Sequence, residues 1–330
     1  MLRWAVLGTA FISNTVIEAI ALSDSSRVDV MAGRNRDKVA DFQKRHGIAR
    51  GASYPDALAD PEIDAIYIGL PNHQHHPFVG AAAQAGKAVL SEKSLTTTMQ
   101  DAHELASMVQ EHGTFFVEGL MYLAHPVHRR FVELLTDGRL GGLRSITARY
   151  GASIGHLVNP AGRGTIYNLG CYPVSLAHLV VQTMLGDSAF GDRSVSASGL
   201  ANGGGGTVSD AALVVRFGND VLASVQSSDS YGNTSEFSVA GDNGVLRFET
   251  NPWLPEAGDN VISWRPYDGP PEKIVVDDQH DAFYHQIKMV EHHVAAGHTQ
   301  AERPSPRLSD SLEIMELLTE WERLCLPPPL

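Results

Sequence analysis

Two short motifs in the first third of the chain have residue types suited to nucleotide binding and to proton chemistry. The turn Gly8–Ser13 follows one apolar run, and the pair Glu92–Lys93 follows another. A lysine ammonium can hydrogen-bond a substrate oxygen and stabilise the charge that develops on it. The motifs together predict a dinucleotide site with a catalytic lysine, Lys93, beside it. The alternative for Lys93 is a surface lysine at the end of a strand.

The turn is a degenerate form of the Gly-x-Gly-x-x-Gly dinucleotide fingerprint, with alanine and serine at its second and third positions. Gly8 permits a tight turn, Ala10 lets the main chain approach a pyrophosphate, and Ser13 allows close helix packing. The free N–H groups of the following helix can bind the phosphates. The predicted cofactor contacts are Gly8, Thr9, Ala10, Phe11, Ile12 and Ser13. An ordinary strand-to-helix turn is the alternative.

The end of the next predicted strand bears on the choice between NAD and NADP. Val28–Ala32 leads into Gly33, Arg34 and Asn35, at the place where a carboxylate would hydrogen-bond the ribose 2′-hydroxyl of NAD. No carboxylate occurs there, whereas Arg34 and Asn35, with Arg36 and Lys38 nearby, can bind a 2′-phosphate. The sequence therefore favours NADP over NAD. A solvated basic helix start is the alternative.

The pattern of elements predicts two domains. Strand and helix patterns alternate from Trp4–Leu7 to Thr114–Val117, which predicts a doubly wound parallel sheet. From Ser145 to Arg265, β-branched runs follow one another without helical patterns between most of them, which predicts a large, mostly antiparallel open sheet. We predict an α/β Rossmann domain over residues 1–122. We assign residues 123–330 to an α+β substrate-binding and oligomerisation domain whose C-terminal helices can pack back on the first.

Composition argues against several classes of partner. The chain has 330 residues, 43% of them hydrophobic, and a formal net charge of −13. That charge disfavours non-specific binding to nucleic acid or anionic membrane, and no apolar run reaches the roughly twenty residues of a spanning helix. Cys171 and Cys325 are too few for a disulfide framework or a zinc site, and the N-terminus lacks a signal-peptide pattern. We expect a cytoplasmic protein without nucleic-acid or membrane partners.

Clustered histidines occur at residues 73–76 and 292–293, but they do not predict a metal site, because neighbouring histidines generally point apart. The metal prediction is none. The first cluster follows a predicted strand of the parallel sheet, and open α/β sheets bind ligands at the carboxyl ends of their strands. Cofactor contacts are therefore expected at Leu70, Pro71, Asn72 and His75.

The chain resembles the Gfo/Idh/MocA oxidoreductases, a family named after glucose–fructose oxidoreductase and inositol dehydrogenase. Four family motifs are matched in order by Gly8–Ser13, Asp64–Ile68, Pro71–His75 and Gly86–Ser94, and the resemblance covers nearly the whole chain. Ser94 stands where the family usually has proline. The resemblance implies that Glu92 and Lys93 border the cofactor and that Lys93 also contacts the substrate.

A second family element, Asp-x-Gly-x-Tyr, is matched by Asn168–Tyr172 and implies that Tyr172 is the acid/base residue. A tyrosine with a pKa of about 10 is a poor base, but an adjacent lysine cation lowers that pKa. Asn168 replaces the usual aspartate, so it can hydrogen-bond substrate but cannot act as a carboxylate. Tyr122 and Arg163 are further candidate substrate contacts. Core or surface packing is the alternative for each.

The resemblance implies an NAD(P)-dependent oxidoreductase that moves hydride between nicotinamide and a carbon of a sugar, polyol or related cyclic alcohol or ketone. Three alternatives stay open: a catalytically silent dinucleotide-binding sensor or regulator, a trans-dihydrodiol dehydrogenase-like enzyme, and an enzyme that retains and recycles its cofactor. A broad open sheet would expose one face in a monomer, so we expect a homodimer or homotetramer through the C-terminal sheet.

Overall fold

The computed structural model describes residues 1–157, 159–201, 206–218 and 220–326. By contacts between residues, the chain divides into two compact units. The first comprises Met1–Met121 and Phe283–Ser309, and the second comprises Tyr122–Ala282 and the chain from Asp310 onwards. Each unit is described by itself.

Strands and helices alternate through the first 121 residues, as the sequence pattern predicts. In chain order they are β1 (Leu2–Leu7), α1 (Phe11–Ala21), β2 (Ser26–Ala32), α2 (Arg36–His46), β3 (Arg50–Ala52), α3 (Tyr54–Ala59), β4 (Ala65–Ile68), α4 (His75–Gln84), β5 (Ala88–Glu92), α5 (Met99–His112) and β6 (Phe116–Gly119).

Most of the remaining strands follow one another in the middle of the chain. The elements are α6 (Pro126–Thr136), β7 (Leu143–Ala152), α7 (Thr165–Asn168), α8 (Cys171–Leu185), β8 (Arg193–Ala201), β9 (Val208–Phe217), β10 (Val221–Ser228), β11 (Asn233–Gly241), β12 (Gly244–Phe248), β13 (Gly258–Pro266), β14 (Glu272–Asp278), α9 (Ala282–Ala295) and α10 (Leu308–Cys325).

The first unit is built on a parallel sheet with strand order β3-β2-β1-β4-β5-β6. Every residue of β4 is buried, as expected for a strand covered by helices on both faces. Trp4, Tyr67 and Leu90 are fully buried in its core, and Ile287 and Val290 of α9 belong to the same hydrophobic cluster. This sheet confirms the predicted Rossmann architecture.

The second unit is built on an eight-stranded sheet with order β14-β13-β12-β11-β7-β10-β9-β8. The β7–β10 pair is parallel and the other six pairs are antiparallel, which confirms the predicted mostly antiparallel sheet. Burial alternates along β9 and β10, so one face of the sheet is buried and the other carries exposed side chains. None of the helices described here is both long and apolar enough to cross a membrane.

Candidate functional site

The Gly8–Ser13 turn connects β1 to α1 in a conformation that requires glycine. Gly8 has φ 108°, and a Cβ built on it would collide with the Gly69 carbonyl oxygen. The buried Ser13 hydroxyl donates to the Gly8 carbonyl over 2.6 Å, which closes the turn against the first turn of α1. Ala10 is the extended residue before the helix, and no side chain caps the helix start there. Backbone N–H groups at this end can therefore bind phosphate oxygens.

The end of β2 forms one wall of a cavity of about 630 Å³ that is also lined by Arg34, Arg36, Ser53 and Tyr54. Burial raises the pKa of Tyr54, and the nearby Arg34 guanidinium opposes that rise. Asn35, a predicted phosphate contact, is the N-cap of α2: its Oδ1 accepts from the backbone N–H groups of residues 37 and 38. Two cationic side chains, Arg34 and Arg36, therefore line this cavity.

Glu92 ends β5 as a buried carboxyl beside Lys93. Burial raises the pKa of Glu92, while Lys93 and the Tyr67 hydroxyl, which donates to Glu92 Oε1 over 2.9 Å, lower it. Lys93 itself is half-buried, and the peptide bond between Lys93 and Ser94 is cis. Lys93 directly follows β5 and Gly8 directly follows β1, so both lie at the carboxyl edge of the parallel sheet.

His75 lies beneath this edge and is completely buried. Its Nδ1 is 2.9 Å from the Ser94 carbonyl oxygen and its Nε2 is 2.8 Å from the Leu70 carbonyl oxygen. Burial lowers the pKa of His75 despite these two acceptors. The imidazole thus joins the loop after β4 to the loop after β5. Asn72, also buried, begins the short 3₁₀ turn that precedes α4.

In the second unit, Tyr172 lies in the first turn of α8 within a group of aromatic rings. Its ring centroid is 5.2 Å from that of Tyr150, 5.6 Å from that of Tyr122 and 6.5 Å from that of Trp253. The Tyr122 hydroxyl donates to the Tyr172 carbonyl oxygen over 3.1 Å and lies 2.7 Å from Ser175 Oγ. Burial raises the pKa of Tyr150 to about 12. Tyr122 therefore fixes the start of α8 through its buried hydroxyl.

The other two predicted substrate residues precede α8. Asn168 is the half-buried last residue of α7. Arg163 adopts φ 66°, and its guanidinium contacts Glu322 of α10 at 3.0 Å and 2.6 Å. The Tyr167 hydroxyl donates to the same carboxylate over 2.9 Å. Burial raises the pKa of Glu322, and Arg163 opposes that rise. The guanidinium thus lies against the C-terminal helix.

Beyond the predicted residues, the structure places Ser53 and Tyr54 in one cavity with Arg34 and Arg36, and it places Tyr150 and Trp253 around Tyr172. Basic character after β2 was visible in the sequence, but nothing in the local pattern shows that the residues after β3 line the same cavity. The residues of the first unit fit a dinucleotide: a turn that only glycine permits, uncapped N–H groups at α1, and cations where a 2′-phosphate would lie.

Comparison with known proteins identifies both parts of the chain. Residues 2–120 match the oxidoreductase family with the NAD-binding Rossmann fold, and residues 128–247 match the GFO/IDH/MocA C-terminal domain. The dTDP-3,4-didehydro-2,6-dideoxy-alpha-D-glucose 3-reductase of Actinomadura kijaniata is 31% identical over 191 residues, which is 54% of this chain and 55% of the relative. The trans-1,2-dihydrobenzene-1,2-diol dehydrogenase of Xenopus tropicalis is 26% identical over 264 residues, 77% of each chain.

Among solved structures, the 3-ketoreductase of A. kijaniata in complex with TDP-benzene and NADP, in an open conformation, aligns with a TM-score of 0.82 at 26% identity. The alignment covers 98% of this chain and 96% of the reductase. The chain spans about half the length of the first curated relatives that it matches. The two family matches together cover most of both units, and the chain belongs to the Gfo/Idh/MocA oxidoreductase family, as the sequence motifs predict.

Proposed function

We propose that the protein is an NADP-dependent oxidoreductase acting on a carbon of a sugar or a related cyclic alcohol or ketone. The observation that carries the proposal is the end of β2, which presents Arg34 and Arg36 to a cavity and has no carboxylate at the ribose position. Guanidinium groups bind a 2′-phosphate bidentately, whereas a carboxylate would repel it. The adjoining Gly8 turn supplies the pyrophosphate site.

The substrate class is inferred from the relatives. They include a dTDP-sugar 3-reductase, an NADP-dependent D-xylose 1-dehydrogenase of Haloferax volcanii and dihydrodiol dehydrogenases. These substrates share a ring or chain that carries neighbouring oxygens, one of which gains or loses hydride at its carbon. Polar and aromatic side chains such as Asn168 and Tyr150 suit such a molecule, because they combine hydrogen bonding with an apolar face.

We assign Lys93 and Tyr172 to the reacting oxygen. The cofactor, when bound, donates or accepts the hydride. The Lys93 ammonium would hydrogen-bond the substrate oxygen and stabilise its negative charge, and the Tyr172 hydroxyl would give or take its proton. Solved structures of the A. kijaniata 3-ketoreductase include a lysine-to-alanine variant and a tyrosine-to-phenylalanine variant, the same two residue types.

A second candidate function is a dinucleotide-dependent sensor or regulator without turnover. Asn168 favours it, because an amide replaces the carboxylate that the family motif usually has at this position. A carboxylate could orient the substrate or tune a neighbouring lysine, and an amide provides hydrogen bonds alone. The two candidates share a cofactor site and differ in turnover, so one experiment separates them.

The experiment is fluorescence titration with NADPH and NADH, followed by rate measurements with a panel of keto-sugars and diols. We expect NADPH to bind more tightly and Arg34→Ala to weaken NADPH by about 10- to 100-fold, the loss of a charge-assisted hydrogen-bond pair. Arg45→Ala is the matched control, because Arg45 is an exposed arginine of α2 that pairs with Asp41 and does not line the cavity.

Turnover of one substrate class would support the enzyme, and binding without turnover of any would support the sensor. Failure to bind either dinucleotide would refute both. Equal affinity for NADPH and NADH, unchanged in Arg34→Ala, would refute the cofactor preference.

We further propose that the exposed sheet face of the second unit pairs with another copy of the chain. Val214, Leu222 and Val275 are exposed on β9, β10 and β14, on a face that also carries exposed Ser224, Arg216 and Lys273. Exposed apolar side chains spread across a broad sheet are typical of an interface between copies of one chain.

A further inference from the structure

Four polar side chains of the second unit meet between two helices that are far apart in sequence. His178 and Gln182 lie one turn apart on α8, and Asp310 and Glu313 lie one turn apart on α10. One ligand atom each from His178, Asp310 and Glu313 lies within 4.8 Å of the others. We propose that these residues bind a divalent transition-metal ion that joins α8 to α10.

The donor set suits such an ion. One imidazole and two carboxylates are ligands that Zn²⁺ and other divalent first-row transition-metal ions accept. Tetrahedral zinc needs ligand atoms roughly 3.5 Å apart. His178 Nε2 lies 2.6 Å from Glu313 Oε2, so a small outward shift of these side chains creates the required separation. Both pairs use helical spacings that place side chains on one face, i and i+4 on α8 and i and i+3 on α10.

Gln182 gives an independent indication of a cation site. The residue is 4% exposed, and within the described part of the chain its Oε1 has no hydrogen-bond partner. Its amide nitrogen lies 2.6 Å from Glu313 Oε2 and 3.2 Å from His178 Nε2. His178 Nε2 cannot both donate to the glutamate and accept from the amide, so this arrangement leaves one contact unsatisfied.

A bound cation would give Gln182 Oε1 a partner and would remove the conflict at His178 Nε2. Turning the Gln182 amide by half a turn exchanges its oxygen and nitrogen, an assignment that hydrogen-bonding partners decide. Gln182 Oε1 would then face the cluster. Without a cation the Glu313 carboxylate would repel this oxygen, whereas a metal ion would bind it. His178 would offer its Nε2 lone pair to the same ion. The four side chains would become four ligands.

The surroundings are those of a structural site. The His178 side chain is 3% exposed and packs edge-on against Phe190 at 4.6 Å, which excludes water on that side. The Glu313 side chain is 35% exposed and leaves a route for the ion to enter. His178 follows Tyr172 by six residues, so it lies on a different face of α8 from the assigned acid/base residue. The site therefore does not rest on the proposed reaction.

The test uses the full chain, treated with chelator, desalted and titrated with ZnCl₂ by calorimetry, with metal content measured after a second desalting. We expect one high-affinity Zn²⁺ per chain and a rise in the unfolding temperature on zinc addition. Glu313→Gln should weaken zinc binding by about 100-fold or more, because loss of a residue that merely supports a ligand already costs about 10- to 100-fold. Its side chain is partly exposed, so this variant should fold even where His178→Gln does not.

His76→Gln is the matched control. His76 lies near Asp101 and Glu104 in a cluster of similar composition but on the surface, with Nε2 3.3 Å from Glu104. Zinc affinity unchanged in His76→Gln and lost in Glu313→Gln supports the site. Zinc binding that is absent in the wild-type chain, equal in Glu313→Gln, or lost in His76→Gln overturns it.

Discussion

Replacing Asp229 by asparagine should make the stability of the second unit less dependent on pH. Asp229 follows β10, is 2% exposed, and among the described residues its Oδ1 has no hydrogen-bond partner. Its backbone is held on both sides: its N–H donates to the Ser209 carbonyl, and its carbonyl accepts from Ile154 and Gly155. Burial, and then the negative charge of Asp210, raise the pKa of Asp229 to about 6.

The direction in which Asp229 changes the free energy of unfolding with pH follows from proton linkage. Between about pH 4 and pH 6 the folded chain keeps a proton that the unfolded chain has released, so the free energy of unfolding falls as pH rises through this window. Above the folded pKa the full cost of ionising a buried carboxyl is present. The difference between the two pKa values corresponds to at most about 3 kcal/mol. Solvent screening and coupling to Asp210 reduce our expectation to about 1–2 kcal/mol.

The assay is urea unfolding at pH 4.5 and pH 7.5, followed by tryptophan fluorescence. Of the four tryptophans, Trp253, Trp264 and Trp321 lie in the same unit as Asp229, so the signal reports mainly on that unit. We expect Asp229→Asn to gain about 1–2 kcal/mol relative to the wild-type protein on going from pH 4.5 to pH 7.5. The comparison across pH removes any pH-independent effect of the substitution.

Asp210 is the matched control, because its pKa is lowered whereas that of Asp229 is raised. Burial raises its pKa, but hydrogen bonds from Ser228, Ser209 and Ser230 outweigh burial and hold the pKa below its usual value. Its stabilising contribution is therefore present above the unfolded pKa and lost as pH falls, so Asp210→Asn should lose stability at pH 7.5. A difference between Asp229→Asn and wild-type protein that is the same at both pH values would refute the reasoning.

Three further outcomes follow from the structure. Gly8→Ala should cost at least about 2 kcal/mol at the turn, because φ 108° and the Gly69 carbonyl both exclude a Cβ, and NADPH titration should show a loss of affinity of more than about tenfold; unchanged affinity contradicts this. Burial, and then His125, lower the pKa of His128 to about 3, so the stabilisation from the neutral imidazole is lost as pH falls below about 6.5. His128→Leu should therefore make the free energy of unfolding fall less steeply with decreasing pH; an equal slope in the variant and the wild-type protein would argue against this. Light scattering should give a mass of two or four chains, reduced by Leu222→Asp, and a monomeric wild-type mass rejects the sheet interface.

The sequence predicts the fold well because periodicity reports burial. Continuous apolar runs indicate β1 and β4, which are covered on both faces, and successive β-branched runs indicate β9 and β10, in which the structure shows alternating burial. β14 escapes this reasoning, because Glu272–Asp278 is an edge strand in which charged residues outnumber apolar ones. Short elements such as α3 also have too few residues to show a period.

The candidate site is less predictable from the sequence, because its side chains contact residues that are distant in the chain. The basic run after β2 is visible in the sequence and lines a cavity, but the capping of α2 by Asn35 and the place of Tyr54 in the same cavity are not visible there. Arg163 hydrogen-bonds Glu322, which lies 159 residues further along the chain, so no local sequence pattern predicts the contact. His75 is identified by its motif but is completely buried between two carbonyls. Lys93 and Tyr172 are assigned through family resemblance, and their roles stay predictions.

The most direct test of the central proposal is the rate of NADPH oxidation with a panel of keto-sugars, compared among the wild-type protein, Lys93→Met and Tyr172→Phe. NADPH affinity is measured for each protein alongside. We expect Tyr172→Phe to retain NADPH binding and both variants to lose at least about 100-fold in turnover, the usual cost of removing a positioned acid or charge stabiliser. Turnover that persists unchanged in Lys93→Met and Tyr172→Phe would contradict the assignment.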